Sequence, residues 1–200
     1  MRKVRLGIMG FGEIGRHIYR LCTKDDLFEV VAISDYGRPE ILHYLLEVET
    51  KGKFQAELVD KNFIVSDAGK ARVVTGGIPG DVPWDVFDVD VVIDATSMFR
   101  YREELEFHLR AGAKHVVLST LPHDEIDRIV VMGVNDDTID VADTIVSAGS
   151  ATTNAAAIML KLFNDKFGIE AAMLTTVHSY TSDQPLRDKG GESYRRTRSA

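Results

Sequence analysis

Gly10-Phe11-Gly12-Glu13-Ile14-Gly15 forms a Gly-x-Gly-x-x-Gly turn, and Asp35 follows twenty residues after its last glycine. Each residue type has a physical task in holding a dinucleotide. Gly10 permits the tight turn, Gly12 lets the backbone approach a pyrophosphate, and Gly15 lets the following helix pack on the preceding strand. The pyrophosphate would then face helix N–H groups and the positive end of the helix dipole. Asp35 sits where a carboxylate meets the ribose 2′-hydroxyl, and it would repel a 2′-phosphate, so NAD is favoured over NADP. Arg38, three residues on, is a cation of the kind that accepts a 2′-phosphate, which keeps NADP open. A glycine-rich turn in an unrelated α/β protein is the competing explanation. The strand before the turn, the helix after it and the acid at the right distance argue against it.

The other chemistry-bearing side chains are less organised. Cys22 is the single cysteine, so neither an internal disulfide nor a cysteine-rich metal site can form, and a reducing compartment is the simpler assumption. His17, His43, His108, His115 and His123 lack paired ligand spacing, so surface or structural roles and no metal site are expected. Trp84, after Pro83, reads as a packing residue. The Arg195-Arg196-Thr197-Arg198 run is short, and a solvated loop is its simplest reading.

These residues need a framework. Val4 to Met9 is a short apolar run that reads as a first strand, and Phe28 to Ser34 as a second, nearly continuous in apolar residues as a strand covered on both faces would be. Between them Ile14, Ile18, Leu21 and Cys22 recur at helical spacing and define the expected buried face. Strand, helix and strand within about 35 residues make a βαβ unit. Pro39 opens a second helix. Residues 53–75 alternate in short runs broken by Asn, Asp and Gly, which predicts inserted hairpin strands. Further strands are expected at Val89 to Asp94, His115 to Ser119, Ile129 to Val134 and Thr144 to Val146. A helix covers Tyr101 to Ala111, with Gly112 at its C-terminal cap. Ser150 introduces a long helix ended by Gly168, and Ala172 to Tyr180 reads as a strand. The alternation predicts an α/β fold with a mostly parallel, doubly wound sheet of the Rossmann type.

Composition bounds the function. The 200 residues are 44% hydrophobic and 28% charged, which is ordinary for a globular chain, and the formal charge of −7 argues against a dedicated nucleic-acid binder. The opening Met-Arg-Lys-Val-Arg-Leu segment faintly mimics a signal peptide, but the glycines at 7, 10 and 12 interrupt its apolar stretch. No run approaches the ~18 apolar residues of a membrane span. No membrane association and a cytoplasmic location are expected.

Beyond the turn, ordered segments carry a specific likeness. GIMGFGEIGR, AISDYG, KGKF, Pro83-Trp84, ATSMF (95–99), GAKHVVLS (112–119), MGVN (132–135), SAGSATTN (147–154), FGIEAAMLTTVHSYTSDQ (167–184) and RRTRSA follow one another along the chain. In that order they resemble the glyceraldehyde-3-phosphate dehydrogenase family over essentially the whole length. The resemblance implies an NAD-binding Rossmann domain over residues 1–150 and the start of an α+β catalytic domain over 151–200, with the chain ending within the family's S-loop, as a truncated gene or a fragment would. It implies that Gly10, Phe11, Gly12, Ile14, Gly15 and Asp35 bind the dinucleotide, that Thr96, Ser97 and Phe99 lie on its adenine side and Ser119 on its nicotinamide side. It places phosphate groups at Ser150, Thr152, Thr181 and Arg196, and makes His178 the catalytic histidine. It implies a phosphorylated aldehyde or related small molecule as substrate, and a homo-oligomer.

The departures matter as much. The family pattern at 147–154 is SNASCTTN, with the nucleophilic cysteine fifth, and Ala151 stands there in this chain. Ala148 and Ala155 replace two further family residues, an Asn and a frequent second Cys. Met9 replaces an Asn, and Glu13 an Arg, beside the pyrophosphate. A methyl group cannot attack an aldehyde, so thioester chemistry is expected to be lost or rerouted. The alternative expectation is a non-catalytic NAD-binding regulatory or interaction protein derived from the family.

Overall fold

The computed structural model describes residues 2–179. The chain divides into two compact units, Met1–Leu162 and Phe163–Ala200. The first holds all nine strands found among the described residues, in one sheet. In chain order its elements are β1 (Val4–Met9), α1 (Glu13–Cys22), β2 (Phe28–Asp35), α2 (Pro39–Val48), β3 (Glu57–Val59), β4 (Phe63–Ser66), β5 (Gly69–Thr75), β6 (Val91–Asp94), α3 (Arg102–Arg110), β7 (His115–Leu118), β8 (Arg128–Ile129) and β9 (Ile145–Ser147). The last helix, α4 (Ala151–Phe167), begins in this unit.

The strand order is β3-β4-β5-β2-β1-β6-β7-β9-β8. Every pairing from β5 to β8 is parallel, and only β3-β4-β5 run antiparallel, as the interrupted 53–75 stretch foretold. The strands bury residues on both faces. Ile8 and Ile33 join Phe11, Tyr19 and Leu46 in one apolar cluster. Their neighbours Met9 and Ala32 join Trp84 and Val92 in another. That two-sided burial is the signature of a doubly wound α/β sheet. From β1 the chain reaches β2 on one side and β6 on the other. This reversal opens a crevice beyond the carboxyl ends of the strands.

Three expectations fail for physical reasons. In α1 the expected face fails only in part: Cys22 is buried and Ile18 packs against the core, but Gly15, Arg16 and Tyr19 are the other buried residues and Ile14 and Leu21 are about half exposed. Gly15 is pressed on the turn so closely that a Cβ there would lie 2.0 Å from the Gly10 carbonyl oxygen, and that contact sets the rotation of the helix. The strand expected from Ile129 to Val134 stops at Ile129. The Asn135 side-chain oxygen takes the Val131 N–H at 2.7 Å, and Val134 N–H donates back to Val131 at 3.0 Å, so a turn captures the donors a strand needed. In the second unit, residues 172–179 form no strand. Met173 and Val177 are almost fully exposed there, and no described strand pairs with the segment to complete its hydrogen bonds. Tyr180, the last residue of that expected strand, lies outside the described residues.

Candidate dinucleotide-binding site

The glycine turn is held from three directions. Gly10 has φ +86°, and its N–H donates to Ser34 at 2.8 Å. The Phe11 N–H donates to Asp35 Oδ2 at 2.7 Å, which ties the turn to the end of β2. Arg16, one turn into α1 and itself buried, donates from Nη1 to the Phe11 carbonyl at 2.7 Å. Its other nitrogens, Nε at 2.9 Å and Nη2, hold Glu49 Oε1. Arg20 reaches the second Glu49 oxygen at 2.9 Å. The Arg16 hydrogen bond leads the causes that keep the Glu49 carboxyl below its usual range.

Asp35 is fixed as an acceptor. Oδ2 takes the Phe11 N–H, and Oδ1 takes the Gly37 N–H at 2.7 Å. Each carboxylate oxygen has two lone pairs, so each retains one for a hydroxyl group. At the start of α1, Gly12 is the N-cap and no side chain caps the helix. A Cβ at Gly12 would meet nothing within 4 Å, so open space faces the uncapped N–H groups. Phosphate oxygens suit that end of a helix. These features fit a dinucleotide: a backbone cradle, a helix N-terminus left open, and a carboxylate with spare acceptor capacity. Glu13, exposed on the first turn, adds a like charge beside that cradle.

A second layer lies across the crevice at the end of β6. Asp94 is fully buried. Its Oδ1 accepts both the Thr96 N–H at 2.9 Å and the Thr96 hydroxyl at 2.7 Å. Its Oδ2 lies 3.2 Å from His108 Nε2, and His108 Nδ1 accepts the Trp84 indole N–H at 3.0 Å. The Thr96 hydroxyl oxygen also takes the Met98 N–H at 3.1 Å, and Ser97 adopts φ +59° in the same tight turn. This turn abuts the glycine turn: a Cβ on Gly10 would come within 2.9 Å of Thr96. A cleft of about 200 Å³ lies between them, lined among others by Gly10, Gly12, Asp35, Tyr36, Thr96 and Met98.

The candidate residues separate in this geometry. Gly10, Gly12, Asp35 and Thr96 line one cleft. Phe11 turns its ring into the core, edge-on to Tyr19 at 5.7 Å, so only its backbone belongs to the turn. Ile14 and Ser97 are exposed, and Phe99 packs partly against the Trp84 cluster. Ser119 follows β7 and donates its N–H to the Asp94 carbonyl at 2.9 Å. Tyr36 and Met98 were missed. Tyr36 is two-thirds exposed, and its place directly after the acid is the sequence signal that could have found it.

At the start of α4, Ser150 Oγ accepts the Thr153 N–H at 2.9 Å, and Asn154 bridges Ala148 and Ser150 through its amide. Ala151 is the exposed first residue of that helix, and Thr152 follows it. His178 belongs to the second unit, where its Nε2 lies 3.1 Å from Thr176 Oγ1. Thr181 and Arg196 lie outside the described residues. Among the described residues no group of three His, Cys, Asp or Glu side chains could hold a metal ion, and no helix is long and apolar enough to cross a membrane.

Comparison with known proteins gives this geometry a lineage. Residues 4–102 match the family model for the glyceraldehyde 3-phosphate dehydrogenase NAD binding domain, and residues 150–200 match the model for the same family's C-terminal domain. Over 200 residues the chain is 41% identical to the glyceraldehyde-3-phosphate dehydrogenase of Priestia megaterium, to glyceraldehyde-3-phosphate dehydrogenase 1 of Bacillus subtilis and to the enzyme of Thermotoga maritima. Each alignment covers 98% of this chain and 59–60% of the relative, so the chain spans about six-tenths of the length of the curated relatives it matches. The chain belongs to the glyceraldehyde-3-phosphate dehydrogenase family, and its Rossmann-type sheet is that family's NAD-binding domain.

Proposed function

We propose that this chain is an NAD-dependent oxidoreductase of the aldehyde-oxidising type in which thioester chemistry is lost or rerouted. The observation that carries the reading is Ala151 as the exposed first residue of α4. A thiol at that place would gain a lowered pKa from the helix N-terminus and act as a thiolate nucleophile. A methyl group has neither a lone pair nor a proton to lose. Bound NAD would supply a hydride acceptor. The chain's own residues supply its seat: the uncapped start of α1 for the pyrophosphate, Asp35 for the ribose hydroxyls and the Thr96 turn for the adenine side, with Phe11 and Gly15 shaping the turn. Ile14, Ser97, Phe99 and Ser119 complete the proposed cofactor set.

The remaining assignments belong to the same reading. Residues 1–150 form the NAD-binding domain, and 151–200 open the catalytic domain. Ser150, Thr152, Thr181 and Arg196 hold phosphate groups of a phosphorylated aldehyde or related molecule. His178 is the general base of the ancestral reaction. The protein works in the cytoplasm as a homo-oligomer. Ala151 equally favours a second reading, a non-catalytic NAD-binding regulatory or interaction protein.

Two measurements test these readings, the first both together and the second one against the other. Calorimetric titration with NAD should give binding, and absence of heat where a family enzyme responds would reject both readings. NADH formation from glyceraldehyde 3-phosphate with inorganic phosphate should be negligible. Robust turnover that disappears in His178→Asn would establish a rerouted, hydroxyl- or hydrate-based reaction and reject the non-catalytic reading.

A further inference from the structure

On the outer side of α1, away from the residues that line the dinucleotide cleft, the first unit has a groove of about 550 Å³. Its walls are the second half of α1 and the connection from α2 to β3, and the two openings share no lining residue. The groove's charge opposes that of the chain. Arg20, Lys24, Lys51 and Lys53 line it, against Glu49 as its one carboxylate, in a chain of formal charge −7.

That carboxylate is already committed. Glu49 accepts hydrogen bonds from Arg16 and from Arg20, and these bonds keep it ionised. Lys24, Lys51 and Lys53 are exposed and form no ion pair among the described residues. Elsewhere on this unit Arg2 pairs with Asp88, Arg5 with Glu29, Arg102 with Asp127, Lys114 with Asp90 and Arg128 with Asp143, while Lys70 and Arg72 lie over the Phe63 ring. Three unmatched ammonium groups in one concavity repel one another, and a multivalent anion relieves that repulsion.

The backbone that presents two of them is fixed. Lys51 and Gly52 both adopt left-handed φ, at 54° and 74°. The Lys51 N–H donates to Val48 at 2.9 Å, the Lys53 N–H to Thr50 at 3.2 Å, and the Phe54 N–H to Thr50 Oγ1 at 2.9 Å. With the amides of this turn satisfied internally, recognition falls to the side chains: ammonium groups as point charges, and the half-buried Phe54 ring on the groove wall. The volume lies in the range of small-molecule sites. The cations belong to three separate stretches, around residues 20, 24 and 51–53, so a single compact anion would meet only some of them.

We propose that this groove binds an oligophosphate chain, as carried by a nucleoside triphosphate or by inorganic tripolyphosphate, at a site separate from the dinucleotide cleft. The proposal does not depend on the reading of Ala151. Arg16 joins the two places, because one nitrogen holds the Phe11 carbonyl of the glycine turn while the others hold Glu49 at the edge of the groove.

The test is calorimetric titration of the full chain with tripolyphosphate and, separately, with ATP, each in the absence and presence of saturating NAD. Binding of both that survives NAD is expected. Equal affinity for the two identifies a phosphate-chain site, and tighter ATP binding identifies a nucleotide site with Phe54 against the base. The double variant Lys51→Glu/Lys53→Glu should weaken tripolyphosphate about tenfold or more, because it reverses two of the four cations that face the anion. The control Lys61→Glu/Lys70→Glu makes the same change in net charge at exposed positions that do not line the groove and should leave the affinity within about threefold, since solvent and salt screen exposed charges that do not touch the anion. No binding at millimolar tripolyphosphate overturns the proposal. So do displacement by NAD, equal loss in both double variants with unchanged thermal unfolding, and a preference for single-stranded RNA over either oligophosphate.

Discussion

The Trp84 indole N–H donates to His108 Nδ1 at 3.0 Å, and this bond decides where the imidazole proton sits. An indole nitrogen can only donate, so Nδ1 must accept and Nε2 carries the hydrogen. That hydrogen faces Asp94 Oδ2 at 3.2 Å. The polar line therefore has one consistent direction, from Trp84 through His108 to Asp94, while Thr96 donates twice to the other Asp94 oxygen. Asp94 and His108 are both fully buried. Sequence spacing treated Trp84 as packing and His108 as an ordinary surface or structural histidine. Neither reading revealed that the two residues help to hold one wall of the cleft.

His108→Leu removes both bonds at once and leaves a buried carboxylate with one oxygen unpaired. Breaking such a pair from one side is strongly destabilising, so urea unfolding should show a loss of about 3 kcal/mol. Asp94→Asn, which removes the charge and keeps a side chain able to hydrogen-bond, should lose less. Equal stability of His108→Leu and the parent chain would show that the buried line contributes nothing.

Two glycines of the turn should separate folding from binding. A Cβ at Gly15 would sit 2.0 Å from the Gly10 carbonyl oxygen, so Gly15→Ala must push α1 off the turn. The expected loss is about 2 kcal/mol of stability, in the range for overpacked sites, together with NAD binding. A Cβ at Gly12 would meet nothing within 4 Å, so Gly12→Ala should leave thermal unfolding unchanged while occupying the space in which the pyrophosphate must sit. NAD affinity should fall about tenfold or more on that variant, a difference of ~1.4 kcal/mol. Unchanged affinity would place the pyrophosphate elsewhere.

The parts of the fold that were legible share a cause. Elements whose pattern records burial on a sheet, such as Val4–Met9, Phe28–Asp35 and the 53–75 hairpins, could be read because the sheet itself imposes that pattern. The α1 face could be read only at Ile18 and Cys22, because Gly15 sets the helix rotation through a backbone contact that leaves no apolar trace, and the helix buries the cation of Arg16 in place of Ile14. The strand after Ile129 was lost to a single side chain, Asn135, competing for the Val131 N–H. In the site, Gly10, Gly12 and Asp35 were legible from spacing, since each does a task that few other residue types can do. Met98 and the Trp84–His108–Asp94 line were not, since their roles arise only once β6, α3 and the Thr96 turn are packed together.

Acid should find a specific weak point at Asp127. Burial raises its pKa, but the N–H groups of Ile145 and Thr144, the Thr144 hydroxyl and the Arg102 guanidinium together outweigh burial and hold the carboxyl far below its usual range. A depressed carboxylate stabilises the fold above its unfolded pKa of ~3.9, and the contribution is lost as pH falls below that value toward the folded one. Asp127→Asn should therefore be less stable than the parent near neutral pH, and its stability should fall less steeply below pH ~4. Parallel curves for the two proteins in urea unfolding across that window would assign the acid sensitivity to other carboxylates.

Ala151→Cys tests the site at the start of α4 against an internal standard. Cys22 is 6% exposed, and burial, with the nearby Asp25, pushes its thiol up from the ordinary range. The introduced thiol would be exposed on the first residue of a helix, where the N-terminal dipole favours the thiolate. Brief alkylation with iodoacetamide near neutral pH should therefore modify the introduced thiol and spare Cys22, as read by mass spectrometry of the digested chain. The same variant should form NADH from glyceraldehyde 3-phosphate and phosphate faster than the parent, because removing a covalent nucleophile costs several powers of ten in rate, and restoring it reverses part of that loss where the rest of the site is intact. Preferential alkylation of Cys22 would show that α4 does not present position 151 as a reactive site. Alkylation at the introduced thiol without any gain in NADH would instead support the non-catalytic reading of the chain.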